Sequence, residues 1–227
     1  FMSNSIFFGA ALSLIAYEVG LLLKRKFKMA IFNPLLISII AVIAVLCLLH
    51  IDYDTYNQSG QYISYLLTPA TVCLAVPLYQ QMELLKKNLK AVVIGIVSGV
   101  LASLVSVLIL ARLFRLSHEQ YVTLLPKSIT TAIGMGVSEE LGGIVTITVA
   151  VIIITGVLGN MVAETVIKLA HIEEPIAKGL ALGTSSHAIG TAKAMELGEI
   201  EGAMSSLAIA VAGLLTVVGA SVFAQFM

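Results

Sequence analysis

The chain has 227 residues, 59% of them hydrophobic and 11% charged, and its formal net charge is zero. An average soluble domain carries about 25% charged residues, so a surface this poor in charge must partly face lipid. The balanced, scattered charges form no basic face for nucleic acid. Cys47 and Cys73 sit singly in apolar runs, as packing groups rather than a disulfide or metal framework.

A spanning helix needs about 20 mainly apolar residues. The first such run, 5–23, holds Glu18 and is followed by Lys24-Arg25-Lys26-Phe27-Lys28. It lacks a preceding basic stretch and a small-residue cleavage pattern, so it is expected to be a retained helix with a cytoplasmic anchor, not a signal peptide. The second run, 33–51, opens with Asn33-Pro34, a cap followed by proline at the first helical position. An acidic loop, Asp52 to Thr55, separates it from 60–82, which is uncharged but holds Thr68-Pro69 and Pro77. The next loop, 83–90, carries Lys86, Lys87 and Lys90. If the intervening segments cross, the two basic loops share one face, which the bias of Lys and Arg makes cytoplasmic, with the N-terminus outside.

Clear spans follow at 91–111, 141–163 and 203–227, none with a charged residue. Between them lie two interrupted stretches. Residues 121–138 contain Pro126-Lys127-Ser128 and Thr130-Thr131-Ala132-Ile133-Gly134-Met135-Gly136, and 175–197 contain Gly179, Gly183 and Gly190. Proline removes a backbone donor and clashes with the preceding turn, and glycine costs about 1 kcal/mol against alanine inside a helix. Both stretches, and 60–82, are expected to be broken or re-entrant. An offset of 113 pairs broken segment with broken segment, as in Leu67/Leu180, Thr71/Thr184 and Met82/Met195, and one of 109 pairs the plain spans at Ala41-Val42-Ile43 and Ala150-Val151-Ile152, which suggests internal repeats 5–113 and 118–227. The expected fold is a single all-α polytopic membrane domain over 1–227, with about 6–8 transmembrane segments and paired broken helices. That pattern is secondary-transporter-like, with a site near the midplane. Eight full crossings would make the repeats parallel. Inverted repeats need one broken segment in each half to turn back.

The polar groups concentrate at the breaks. A break near Gly183 would present helix N–H groups, which suit an anion, beside Thr184, Ser185, Ser186 and His187, with Gly190 allowing close approach. On a continuous helix His187 shares a face with Thr184 and Thr191. Lys193 is either an intramembrane site residue or an interfacial lysine paired with Glu196. His187 is either a ligand or a packed interhelical histidine. A half-helix starting at Pro126 would aim Ser128, Thr130 and Thr131 at one spot, with Gly134 on the same segment; the alternative is that these hydroxyls only join helices. Asn33, Thr68, Thr71 and Glu139 are candidates of second rank, and Glu18 and Glu164 could serve proton coupling. No H-E-x-x-H or G-x-S-x-G occurs, and His50, His118, His171 and His187 show no metal-ligand spacing. No catalytic role, cofactor or metal is expected. A coupling ion, H+ or Na+, is left open.

Pro126-Lys127-Ser128-Ile129-Thr130-Thr131, Gly142-Gly143 and Ser186-His187-Ala188-Ile189-Gly190-Thr191-Ala192 resemble signature stretches of the LrgB/CidB family. Lys24-Arg25 before Asn33-Pro34-Leu35-Leu36, and Gly198-Glu199 before Gly202-Ala203, fit the same pattern, so the resemblance covers essentially the whole chain. It implies a multi-pass protein of the bacterial inner membrane, working with a small holin-like partner of the LrgA/CidA type; a homo-oligomer is expected besides. It also implies one of two functions: carriage of small monocarboxylates such as pyruvate, glycolate or glycerate, as in the plastid glycolate/glycerate translocator, or antiholin-like control of murein hydrolase export and autolysis. Converging hydroxyls on paired broken helices favour the carrier.

Overall fold

The structure, a computed structural model, describes residues 7–27, 29 and 32–227. It is an all-α polytopic membrane protein. Among the described residues, four stretches are long and apolar enough to cross a bilayer: Tyr53–Gln80, Leu89–Leu113, Val145–Leu169 and Glu199–Phe226. The chain divides into two compact units, Phe1–Cys73 and Leu74–Met227.

In the first unit, helix α1 (Phe8–Phe27) is followed by α2 (Pro34–Leu48), α3 (Tyr53–Ser64) and α4 (Leu67–Cys73). Small residues let these helices approach closely: a methyl at Gly20 would lie 2.8 Å from the Cα of Pro34, and Gly9 abuts the backbone of Tyr56. The free N–H groups at the start of α1 find a partner in buried Ser59, whose Oγ accepts from Gly9 at 2.7 Å and Ala10 at 3.1 Å. Asn33 caps α2 as expected, accepting from the amides of Leu35 and Leu36.

The second unit begins with the short helices α5 (Ala75–Gln80) and α6 (Met82–Lys87) and the span α7 (Leu89–Leu113). The interrupted 60–82 stretch thus resolves into pieces of four helices. Pro69 and Pro77 each occupy the first turn of a short one, where no intrahelical N–H bond is lost. Beyond α7 come α8 (His118–Leu124), α9 (Thr131–Glu140), α10 (Val145–Leu169), α11 (Pro175–Leu197) and α12 (Glu199–Phe223).

The two remaining interrupted stretches do not cross; each enters the unit and turns back. In α11 the backbone leaves the helical region at Ser186 and at His187, whose φ is 42° and ψ −137°. A straight helix would separate residues 182 and 190 by about 12 Å, yet a methyl at Gly190 would lie 2.6 Å from the Leu182 carbonyl. The arm before the break runs parallel to α12: Gly179 packs on Met204 and Gly183 on Ala208. The arm after it runs antiparallel, with Thr191 bonded to Ser205 at 2.7 Å and Met195 against Gly202.

The stretch 118–140 makes the same shape from α8 and α9. A methyl at Gly134 would lie 3.6 Å from Pro126, and Thr123 and Ser138 lie together around buried Thr148, whose Oγ1 is 2.9 Å from the Thr123 carbonyl and 2.7 Å from Ser138 Oγ. These buried hydroxyls bond one another, so the arms are pinned to α10 without an unsatisfied group.

The hairpins enter from opposite faces. Along α10, hairpin 118–140 packs near Thr148 and Ile152, whereas hairpin 175–197 packs from Ile152 and Gly156 at its tip to Glu164 near its base. Along α12, Ser205 and Ala208 meet the second hairpin, and Gly213 and Phe223 meet the first. Hairpin 118–140 with α10 is therefore matched, upside down, by hairpin 175–197 with α12. An offset of 56 makes the relation visible in the sequence. Ala132, Ile133, Gly134, Glu140, Leu141, Gly142 and Ile144 recur as Ala188, Ile189, Gly190, Glu196, Leu197, Gly198 and Ile200. This repeat is shorter than a half-chain, and it is inverted because each copy holds one turned-back hairpin and one crossing helix.

Two local expectations need correction. No helix starts at Pro126: residues 125–130 form a non-helical tip, and the helix starts at Thr131 with Thr130 at its N-cap. Proline has no N–H to extend the ladder of α8, so it ends that helix instead of opening the next. The second break lies at Ser186 and His187, not at Gly183. Gly183 stays helical because its missing side chain is what admits the backbone of Ser205.

Candidate functional site

The hairpin tips meet beside α7. Thr184, on the second hairpin, approaches Gly99 so closely that a methyl there would lie 2.7 Å from Thr184 Oγ1. Four residues on, about one helical turn, Ser103 Oγ is 3.0 Å from Ser128 Oγ at the tip of the first hairpin. Between α7, the arm 175–185 and the tip 127–128 lies a cavity of about 830 Å³. It runs from Asn88 and Glu174, at the starts of α7 and α11, inward to Ser106 and Lys127. Past that floor the space is filled: Leu104, Val107, Ala111, Tyr121, Val122 and Leu125 are all buried in one apolar cluster. The cavity is thus closed on the face where α7 and α12 end, and it extends toward the face where they begin.

Its polar lining is mostly hydroxyl, from Ser98, Ser103, Ser106, Ser128, Thr184 and Ser185. Thr184 Oγ1 donates to the Leu180 carbonyl at 2.8 Å and Ser185 Oγ to the Ala181 carbonyl at 2.7 Å, so each oxygen keeps lone pairs for another donor. Lys127 is the single cation of the lining. Its Nζ donates to Ser128 Oγ at 3.0 Å, and among the described residues no carboxylate lies within 4 Å of it. The single acid of the lining, Glu174, sits at the opposite end.

Of the residues singled out from the sequence, Ser128, Thr184 and Ser185 reach the cavity. Ser186 is buried against Gly159, and His187 is buried with Nε2 3.0 Å from the Ile152 carbonyl and its ring against Gly156. The shared face of His187 with Thr184 and Thr191 assumed a continuous helix, and the break removes it. Thr191 bonds Ser205 on α12, Gly190 lets the two arms of its hairpin close, and Gly134 lies against Ile152 of α10. Thr130 and Thr131 mark the start of α9 and do not line the cavity. Lys193 Nζ is paired with Glu164 at 2.7 Å and Glu196 at 3.0 Å, near the base of the second hairpin. Glu139 is exposed at the end of α9. Asn33 and Thr68 belong to the first unit, where Asn33 is a helix cap and Thr68 is exposed; the side chain of Thr71 lies outside the described residues. Lys127, Ser98, Ser103 and Ser106 were missed. Lys127 carried a sequence signal, a charge inside an otherwise uncharged stretch. The three serines of α7 carried none, because their span is otherwise uniformly apolar.

The LrgB-like family matches residues 13–226. Relatives called "Antiholin-like protein LrgB" from Bacillus mycoides (strain KBAB4), Bacillus cereus (strain B4264) and Bacillus anthracis (strain CDC 684 / NRRL 3495) are each 39% identical over 221 residues. The alignment covers 97% of this chain and 96% of each relative. No solved structure matches. A match over nearly the whole length, including both hairpins and the spans that pair with them, settles the assignment: the chain belongs to the LrgB-like family.

Proposed function

We propose that this protein is a carrier, or the carrying subunit, for small monocarboxylates such as pyruvate, glycolate or glycerate in the bacterial inner membrane. One observation supports the reading most: two hairpins inserted from opposite faces bring equivalent hydroxyl residues, Ser128 and Thr184, to one cavity. An inverted pair of interrupted segments around a midplane site suits alternating access, because the two copies can exchange conformations. A lesion-forming protein needs no such paired site. The cavity opens toward the face bearing Lys86, Lys87, Lys90, Lys168 and Lys178, while Arg112 and Arg115 lie at the other end of α7. The bias of Lys and Arg makes the open face cytoplasmic, which supports reading this form as an inward-open state. A small membrane partner of the LrgA/CidA type and a homo-oligomeric assembly belong to the same proposal, as does a coupling ion, H+ or Na+.

The relatives' name supports a second reading, an antiholin-like modulator of murein hydrolase export and autolysis. Uptake of labelled pyruvate, glycolate and glycerate into proteoliposomes, with and without the small partner, separates the two. Saturable uptake of one of these acids is expected. Dye leakage with no substrate-dependent flux in either preparation would overturn the carrier and leave the antiholin-like role.

A further inference from the structure

We propose that Lys127 is the counter-charge of the bound solute and restricts the cavity to solutes with one negative charge. The inference rests on the carrier reading and concerns what that carrier selects. Volume cannot do the selecting. At about 830 Å³ the cavity could hold far more than a three-carbon acid, and pockets of this size commonly enclose drug-sized molecules. Charge is what the lining restricts.

Lys127 sits level with Ser103 on α7 through Ser128. Ser103 is 14 residues, about 21 Å, from the start of α7 and 10 residues, about 15 Å, from its end. A four-carbon stem cannot carry the ammonium from that depth to either face, so snorkelling does not relieve it. Glu174 does not neutralise it either. That residue precedes the first arm of hairpin 175–197 and stands ten residues, about 15 Å of helix, from Thr184 at the inner end of the cavity. The repeat supplies no second cation, because the position 56 residues beyond Lys127 is Gly183, which is packed against Ala208.

Lys127 spends one N–H on Ser128 and retains two. A monocarboxylate placed on them makes the loaded cavity floor neutral. A dicarboxylate would leave an unpaired negative charge at membrane depth, and an uncharged analogue would leave the ammonium unpaired; both carry the penalty of an isolated intramembrane charge. Ser128 and Ser103, in a chain from Lys127, hold the ammonium at one position.

The test measures binding of pyruvate and glycolate, their uncharged amides and malonate to the purified full chain, for wild type, Lys127→Gln, Lys127→Met and Lys127→Arg. The wild type is expected to favour the monoanions at least tenfold over amides and malonate. Lys127→Gln and Lys127→Met should weaken the monoanions tenfold or more while leaving the amides bound no more weakly than by the wild type. Lys127→Arg should keep the preference. Equal losses for acid and amide in the Gln and Met variants would assign Lys127 a merely structural role and overturn the proposal. So would unchanged acid binding in either variant, or malonate bound as well as pyruvate by the wild type. Wild-type protein that neither binds nor transports any monocarboxylate would instead overturn the carrier reading.

Discussion

Ser128 and Thr184 occupy equivalent positions, 56 residues apart, in two hairpins inserted from opposite faces, and both side chains line the same cavity. Each rests on α7, Ser128 through Ser103 and Thr184 through Gly99 one turn earlier. Their pairing gives the inverted repeat a chemical centre: whatever lies between the tips meets a hydroxyl from each copy.

Thr184→Val and Ser128→Ala should each lower solute affinity about 2- to 10-fold, as loss of a hydrogen bond worth about 0.5–1.5 kcal/mol would. The valine keeps the volume of Thr184 and removes an oxygen whose proton goes only to its own helix, so thermal stability in detergent should hardly change. Binding titrations on both variants check this. Unchanged affinity in both would remove the hydroxyl pair from the site.

The equivalent glycines Gly134 and Gly190 should behave unequally on replacement by alanine. A methyl at Gly134 meets the end of the Ile152 side chain, which can rotate away. A methyl at Gly190 meets the Leu182 carbonyl at 2.6 Å, and backbone cannot yield without opening the hairpin. Gly190→Ala should destabilise by about 1–3 kcal/mol, the usual range for overpacking, and Gly134→Ala by clearly less. Thermal unfolding of the purified variants decides it, and equal losses would mean the second hairpin is not closed at its tip as described.

These glycines also show how far the sequence could be read. Interruption was legible, because proline and glycine act locally. The turning back was not: 175–197 has the length of a span, and it takes long-range contacts such as that of Gly190 with Leu182, eight residues away, to reveal the fold-back. The break fell at His187 and not at a glycine because buried contacts outweigh local preference. A left-handed φ in a non-glycine residue costs about 1–3 kcal/mol, and here the bond to the Ile152 carbonyl and the packing on Gly156 and Gly159 hold it. Lys193 looked like a site residue because its partner Glu164 is 29 positions away, while Lys127, its charge uncompensated, was hidden in a stretch read for its hydroxyls.

His187→Ala should therefore destabilise the protein more than His187→Gly. Both lose the ring's hydrogen bond to the Ile152 carbonyl, which keeps its own helical partner, at about 0.5–1.5 kcal/mol, but only glycine relaxes the positive φ of 42°. Any fall in solute affinity should track the unfolded fraction. A folded His187→Gly protein that cannot bind solute would show that the ring acts in the site after all.

Lys193 supplies the control for Lys127. Its ion pairs join half-exposed glutamates, and such pairs contribute about 0–1 kcal/mol after screening. Lys193→Gln should lower thermal stability by no more than that, should lose its effect at high salt as the Debye length shrinks, and should leave the affinity for pyruvate and glycolate unchanged. The measurement is a parallel titration and melt of the Lys127→Gln and Lys193→Gln proteins at low and high ionic strength. If the charge needed for solute were Lys193, the two variants would exchange these outcomes, and the carboxylate would have to bind at the base of the second hairpin beside Glu164 and Glu196. There Lys193 is already held by Glu164 and Glu196, and Lys168 also faces Glu164, so the cations of that place are engaged by carboxylates, as Lys127 at the floor of the cavity is not.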